Sequence, residues 1–133
     1  MPPKHPYNPL PSLRLCVAAG AKVEQVIAIF NVIYVQGLQP DSIEGINAMA
    51  EALSIDNPQA VLSDKAVKIT LRDNTKKAIA EGVFGVPTFT IGNELFWGGD
   101  ATKMMLDYIN CSELFETAEM KRISSMPMGL TRR

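Results

Sequence analysis

Histidine occurs once in this chain, as His5, and cysteine twice, as Cys16 and Cys111, with no CxxC pair. That scarcity excludes the usual zinc ligand sets, a Cys–His nucleophile pair and the thioredoxin-type redox motif. Charge of one sign is also missing. The net charge of −1 gives no electrostatic case for nucleic acid or an anionic membrane surface as partner. No apolar run approaches the roughly 18 residues that a spanning helix requires. The opening MPPKHPYNPLPS has no basic start followed by an apolar core, the pattern of a signal peptide. A cytoplasmic location is therefore expected, and the two cysteines read as small buried hydrophobes rather than a disulfide. What is present is ordinary for a folded chain. The 133 residues are 47% hydrophobic and 20% charged, enough for one compact domain.

The chain divides into four stretches. Residues 1–12 hold five prolines (Pro2, Pro3, Pro6, Pro9 and Pro11), and regular structure is expected only after Pro11. Residues 13–81 are helical in pattern. Leu13 to Gly20 reads as a short helix with Leu13, Cys16 and Val17 on one side. Lys22 to Gln36 is a second helix, or the same one kinked at Gly20. Its Val23, Val26, Ile27, Phe30, Ile33 and Tyr34 recur at helical spacing, and Ile29 and Val32 widen the apolar surface, so burial on most sides is expected. Gly37 closes it. Asp41 or Ser42 caps the next helix, striped by Ile43, Ile46, Met49, Ala50 and Leu53. Asn57-Pro58 starts another. Ser63 or Asp64 caps a last one to about Glu81, with Val67, Leu71, Ala78 and Ile79 inward and Gly82 at its end.

Residues 82–110 change character. Thr88-Phe89-Thr90-Ile91 alternates, Gly92-Asn93 is a turn dipeptide and Leu95-Phe96-Trp97 returns, which is a β-hairpin. Pro87 cannot donate to a ladder; it is either a plain proline at a strand start or part of a tight turn that presents backbone groups. Asp100 follows Gly98-Gly99 and opens a helix through about Ile109, with Met105, Leu106 and Ile109 apolar. Its carboxylate is placed to cap that helix, and a second oxygen could accept from a ligand ammonium. Residues 111–133 form a tail, with Leu114, Phe115 and Met120 in a short helix and residues 124–133 loose. The fold class is mainly α with a small β-hairpin.

The run GVFGVPTF (residues 82–89), followed by a turn and FWGGD (residues 96–100), resembles the C-terminal signature of 2-hydroxychromene-2-carboxylate isomerases. These form part of the DsbA-like branch of the thioredoxin superfamily, related to kappa-class glutathione transferases. The helices before Gly82 resemble that branch's helical insertion, so the resemblance implies a partial thioredoxin-like (DsbA-type) α/β fold. It further implies a cis Val86–Pro87 bond, glutathione as cofactor, and a binding surface made of Val86, Pro87, Trp97, Gly99 and Asp100. A small aromatic substrate is implied as well. The catalytic serine, or CxxC cysteine, of that branch lies in a strand–helix–strand unit that residues 1–12 cannot form, so no catalytic residue is assigned and the chain is expected to be incomplete or inactive. The alternatives are a non-catalytic thiol-peptide-binding or assembly module and a fragment of a DsbA-type thiol-disulfide oxidoreductase. Unpaired strand edges and excess apolar helix surface lead to an expected homodimer, preferentially through the helical face.

Overall fold

The computed structural model describes residues 2–126 and divides into two units, one of residues up to Ala78 and one from Ile79 onward. Helix α1 (Leu10–Ala18) begins before Pro11, not after it. Proline is tolerated there because the N–H groups of a first helical turn have no intrahelical partner to lose. The segment ahead of it is held by side chains. The Lys4 N–H donates to Gln39 Oε1 at 3.0 Å and the Asn8 N–H to Asp41 Oδ2 at 2.9 Å, while Gln39 Nε2 donates to Asp41 Oδ1 at 2.7 Å. The Asn8 hydrogen bond, then the Gln39 one, holds the exposed Asp41 carboxyl below its ordinary value.

Helix α2 (Val23–Phe30) runs into a π-turn, Asn31–Val35, where the Gln36 N–H reaches the Asn31 carbonyl at 2.9 Å. This wider turn accompanies the burial of two consecutive residues, Val32 and Ile33. Ser42 caps α3 (Ile43–Ala52) by accepting from the Gly45 N–H, and Asn57 caps α4 (Pro58–Ser63) by accepting from the Ala60 N–H. The Asp64 carboxylate accepts from the Ala66 N–H at 2.6 Å at the start of α5 (Lys65–Ala80). Gly37 and Gly82 both take positive φ at the ends of their segments.

The core of this unit joins Leu15 of α1, Ile29, Val32 and Ile33 of the second helical segment, and Ile46 and Met49 of α3. Leu15 and Met49 are fully buried; burial of one such side chain stabilises by about 1.5–3 kcal/mol. Several inward assignments are corrected here. Leu13, Val23, Ile27, Phe30, Tyr34, Ile43 and Ile79 are exposed, whereas Leu15 and Ser12 are buried. The second helix turns one stripe to the core instead of being covered all round. Its strongly apolar composition misleads because α1 and α3, which pack against it, bury only Ile29, Val32 and Ile33 of its residues. Cys16 is half-buried and Cys111 exposed, and both are free thiols, so the expected burial fails for Cys111.

In the second unit β1 (Thr88–Ile91) pairs antiparallel with β2 (Glu94–Trp97). Ile91 faces Glu94 across a two-residue turn in which Gly92 has φ 59°, a left-handed value that side-chain-bearing residues rarely adopt. Among the described residues these two strands are the whole sheet. A 3₁₀ turn, Gly99–Ala101, leads into α6 (Thr102–Asn110); a second one, Ser112–Glu116, leads into α7 (Ala118–Ser124). Ser124 thus ends a helix, and residues 127–133, also expected to be loose, lie outside the described residues. Phe96 is the buried anchor of the unit. Its ring lies 5.6 Å from that of Tyr108, which meets Phe115 edge to face at 5.0 Å. Leu106 and Ile109 are exposed instead, so aromatic rings cover the hairpin. No described helix is long and apolar enough to cross a membrane.

Candidate functional site

The segment from Phe84 to Thr88 folds back on the end of β2. The Gly98 N–H donates to the Pro87 carbonyl at 2.9 Å, and Thr88 Oγ1 donates to the Gly85 carbonyl at 2.6 Å. Thr88 stands opposite Trp97 in the ladder. These contacts bring Val86, Pro87 and Trp97 together, and Gly99 and Asp100 follow directly on the chain. The Val86–Pro87 peptide bond is cis, as is His5–Pro6. Val86 is 87% exposed and belongs to neither strand. Its N–H and C=O make no backbone hydrogen bond among the described residues, so both are open to an extended ligand.

Trp97 is half-exposed at the edge of this loop, its indole 5.2 Å from the Phe84 ring. Phe84 and Gly85, part of the signature run but not assigned to the binding surface, seat the indole. A Cβ at Gly85 would overlap the Trp97 ring nitrogen, so only glycine leaves room for it. The signal was the second glycine of GVFG, two residues before a proline.

Asp100 departs from its expected geometry. It sits in the middle of the 3₁₀ turn, and α6 starts at Thr102 with Ala101 at its cap position and no capping side chain. The Thr102 hydroxyl donates to the Gly99 carbonyl at 2.7 Å instead. Gly99, Asp100 and Ala101 form the 3₁₀ turn themselves, so α6 begins two residues past Asp100 and leaves it out of the capping position. Its carboxylate is exposed.

The loop therefore offers one free backbone donor and acceptor, an aromatic edge and a carboxylate, a set suited to holding a peptide rather than to proton transfer. Neither cysteine belongs to it. Burial pushes the Cys16 thiol above its ordinary value, which makes it a poor nucleophile. Among the described residues no group of three or more His, Cys, Asp or Glu side chains is placed to hold a metal ion.

A mainly helical chain carrying a small antiparallel hairpin is the fold class, and comparison with known proteins gives the family. Residues 2–110 match the model of the DSBA-like thioredoxin domain, and the chain belongs to that family. Over 83 residues it is 35% identical to a 2-hydroxychromene-2-carboxylate isomerase of Pseudomonas putida, covering 60% of this chain and 40% of that protein. A second 2-hydroxychromene-2-carboxylate isomerase, from Pseudomonas sp. strain C18, is 34% identical over 83 residues, 60% of this chain and 39% of the relative. The match thus spans about two fifths of the length of these curated relatives. No solved structure matches the chain.

Proposed function

We propose that this chain binds glutathione, or a thiol peptide of that kind, at Val86, Pro87, Trp97, Gly99 and Asp100, as part of a glutathione-dependent 2-hydroxychromene-2-carboxylate isomerase-like activity. The observation that carries the reading is the exposed Val86 backbone, unpaired at the mouth of β1. An extended cysteinyl peptide can pair with it as an added strand. The exposed Asp100 carboxylate accepts from the γ-glutamyl ammonium, a charge-assisted hydrogen bond. The names of the two relatives supply the reaction class, with a small aromatic acid as the substrate. No described residue is assigned as nucleophile or base, so the site in hand is the peptide-holding part of such an enzyme.

Titration calorimetry with glutathione tests this. Affinity is expected near the millimolar range, about 4 kcal/mol, weakened several-fold in Asp100→Ala and unchanged in Cys16→Ser. Loss in the cysteine variant with retention in the aspartate variant overturns the assignment.

A second reading, assembly of two copies, is favoured by the exposed Val23, Ile27 and Val35 on the second helical segment. Sedimentation velocity decides it: a concentration-independent monomer contradicts a dimer.

A further inference from the structure

We propose that Thr88 is a positioning residue for the thiol-peptide site. Its hydroxyl fixes the plane of the Gly85–Val86 peptide, so that the Val86 N–H is held out toward an incoming extended strand. The inference rests on the thiol-peptide reading and adds to it a residue that acts through Val86. Thr88 Oγ1 donates to the Gly85 carbonyl at 2.6 Å, at the short end of the O–H···O range, and the contact is partly buried from competing water.

The carbonyl and N–H of a trans peptide lie in one plane and point to opposite sides. The Gly85 carbonyl and the Val86 N–H belong to one such unit, since the cis bonds among the described residues are His5–Pro6 and Val86–Pro87. A hydroxyl that holds the carbonyl on its own side therefore turns the N–H away from Thr88. No other hydrogen bond among the described residues reaches this peptide unit. The Val86 side chain, 87% exposed, gives the loop little packing to anchor it. The acceptor side of Val86 is held differently: the Pro87 ring limits its own φ, and the Gly98 N–H pins the Pro87 carbonyl at 2.9 Å.

The need for an outside hold comes from Gly85. Trp97 leaves no room for a Cβ there, and glycine has the widest backbone freedom of any residue. The seat of the indole thus leaves the peptide that aims the Val86 N–H least restrained by its own backbone. The Thr88 hydroxyl, three residues on, supplies that restraint.

Amide relaxation of the isotope-labelled whole chain, together with calorimetric titration of glutathione, tests the role in wild type, Thr88→Val and Thr88→Ser. Valine keeps the β-branch and removes the hydroxyl; serine keeps the hydroxyl. In the unliganded wild type the Val86 amide is expected to be rigid, with an order parameter of about 0.85. It should fall below about 0.6 in Thr88→Val and recover in Thr88→Ser. Glutathione should bind Thr88→Val about 3- to 10-fold more weakly than wild type, because only part of the population presents the N–H, and Thr88→Ser should regain most of that loss. A Val86 amide that is mobile in wild type overturns the proposal without any variant. So does a Thr88→Val chain that melts lower yet keeps either the Val86 order or the wild-type affinity, since the hydroxyl then serves stability alone. If wild type binds no glutathione while Val86 order is lost in Thr88→Val and regained in Thr88→Ser, the thiol-peptide reading falls and the hold on Val86 stands, so the two failures are told apart.

Discussion

The indole nitrogen of Trp97 occupies the space that a side chain on Gly85 would need. One residue beyond Gly85 lies the exposed Val86, and Trp97 is itself paired across the ladder with Thr88. The loop's shape is therefore set by a ring pressed onto a glycine. Gly85→Ala should displace the indole and cost about 1–3 kcal/mol, the range for an extra methyl group in a packed site. Trp97 is the only tryptophan, so its emission reports the change directly. An unshifted spectrum and unchanged unfolding midpoint would show that the indole is not seated on Gly85.

Tyr7 gives a pH prediction. Its hydroxyl lies 3.3 Å from that of Tyr34, and this hydrogen bond, followed by burial and the nearby Tyr34 and Asp41 charges, raises its pKa to about 12 from 10.0. The neutral form is favoured in the folded chain, so above pH 10 the unfolded state releases this proton first. Stability from this group is present below about pH 10 and is lost as pH rises through about 12. A tyrosinate absorbance titration should show the high midpoint moving down toward 10 in Tyr34→Phe. A midpoint indifferent to that substitution would reject the coupling.

Charge substitutions separate core from surface on the second helical segment. Ile29 and Val32 are 5% and 1% exposed, whereas Ile27 is 53% exposed. Val32→Asp should unfold the unit, since an unpaired buried charge is among the few single changes that cost more than about 4 kcal/mol. Ile27→Asp should leave folding within about 0.5 kcal/mol and act only on association. Chemical denaturation of both variants checks the ranking, and equal losses would contradict the placement of the core.

Local signals explain what was legible beforehand. The hairpin, its Gly92-Asn93 turn, and the caps at Ser42 and Asn57 each depend on a few neighbouring residues with strong backbone preferences, and all stand where the residue pattern put them. Which face of an apolar helix turns inward is a tertiary property. Val23 and Ile27 carry the same period as Ile29 and Ile33, and only the position of α1 and α3 decides between them. Pro11 misled for a related reason, because a proline forbids a helix interior but not a first turn. The Lys4–Gln39–Asp41 tie joins residues far apart in sequence, and no local pattern announces it. In the candidate site, GVP and FWGGD marked two segments that the structure brings side by side, Pro87 and Gly98 joined by a backbone hydrogen bond. The 3₁₀ turn that displaces Asp100 from the helix cap depends on how Gly98 and Gly99 bend, and glycine backbones leave that open.

The central claim is that Val86 pairs its backbone with a thiol peptide, and amide chemical-shift mapping during a glutathione titration tests it most directly. The account predicts saturable shifts of the Val86 and Asp100 amides with a shared midpoint, while the α3 amides stay still. Shifts centred on Cys16 or Cys111, with Val86 unmoved at saturating glutathione, would contradict it.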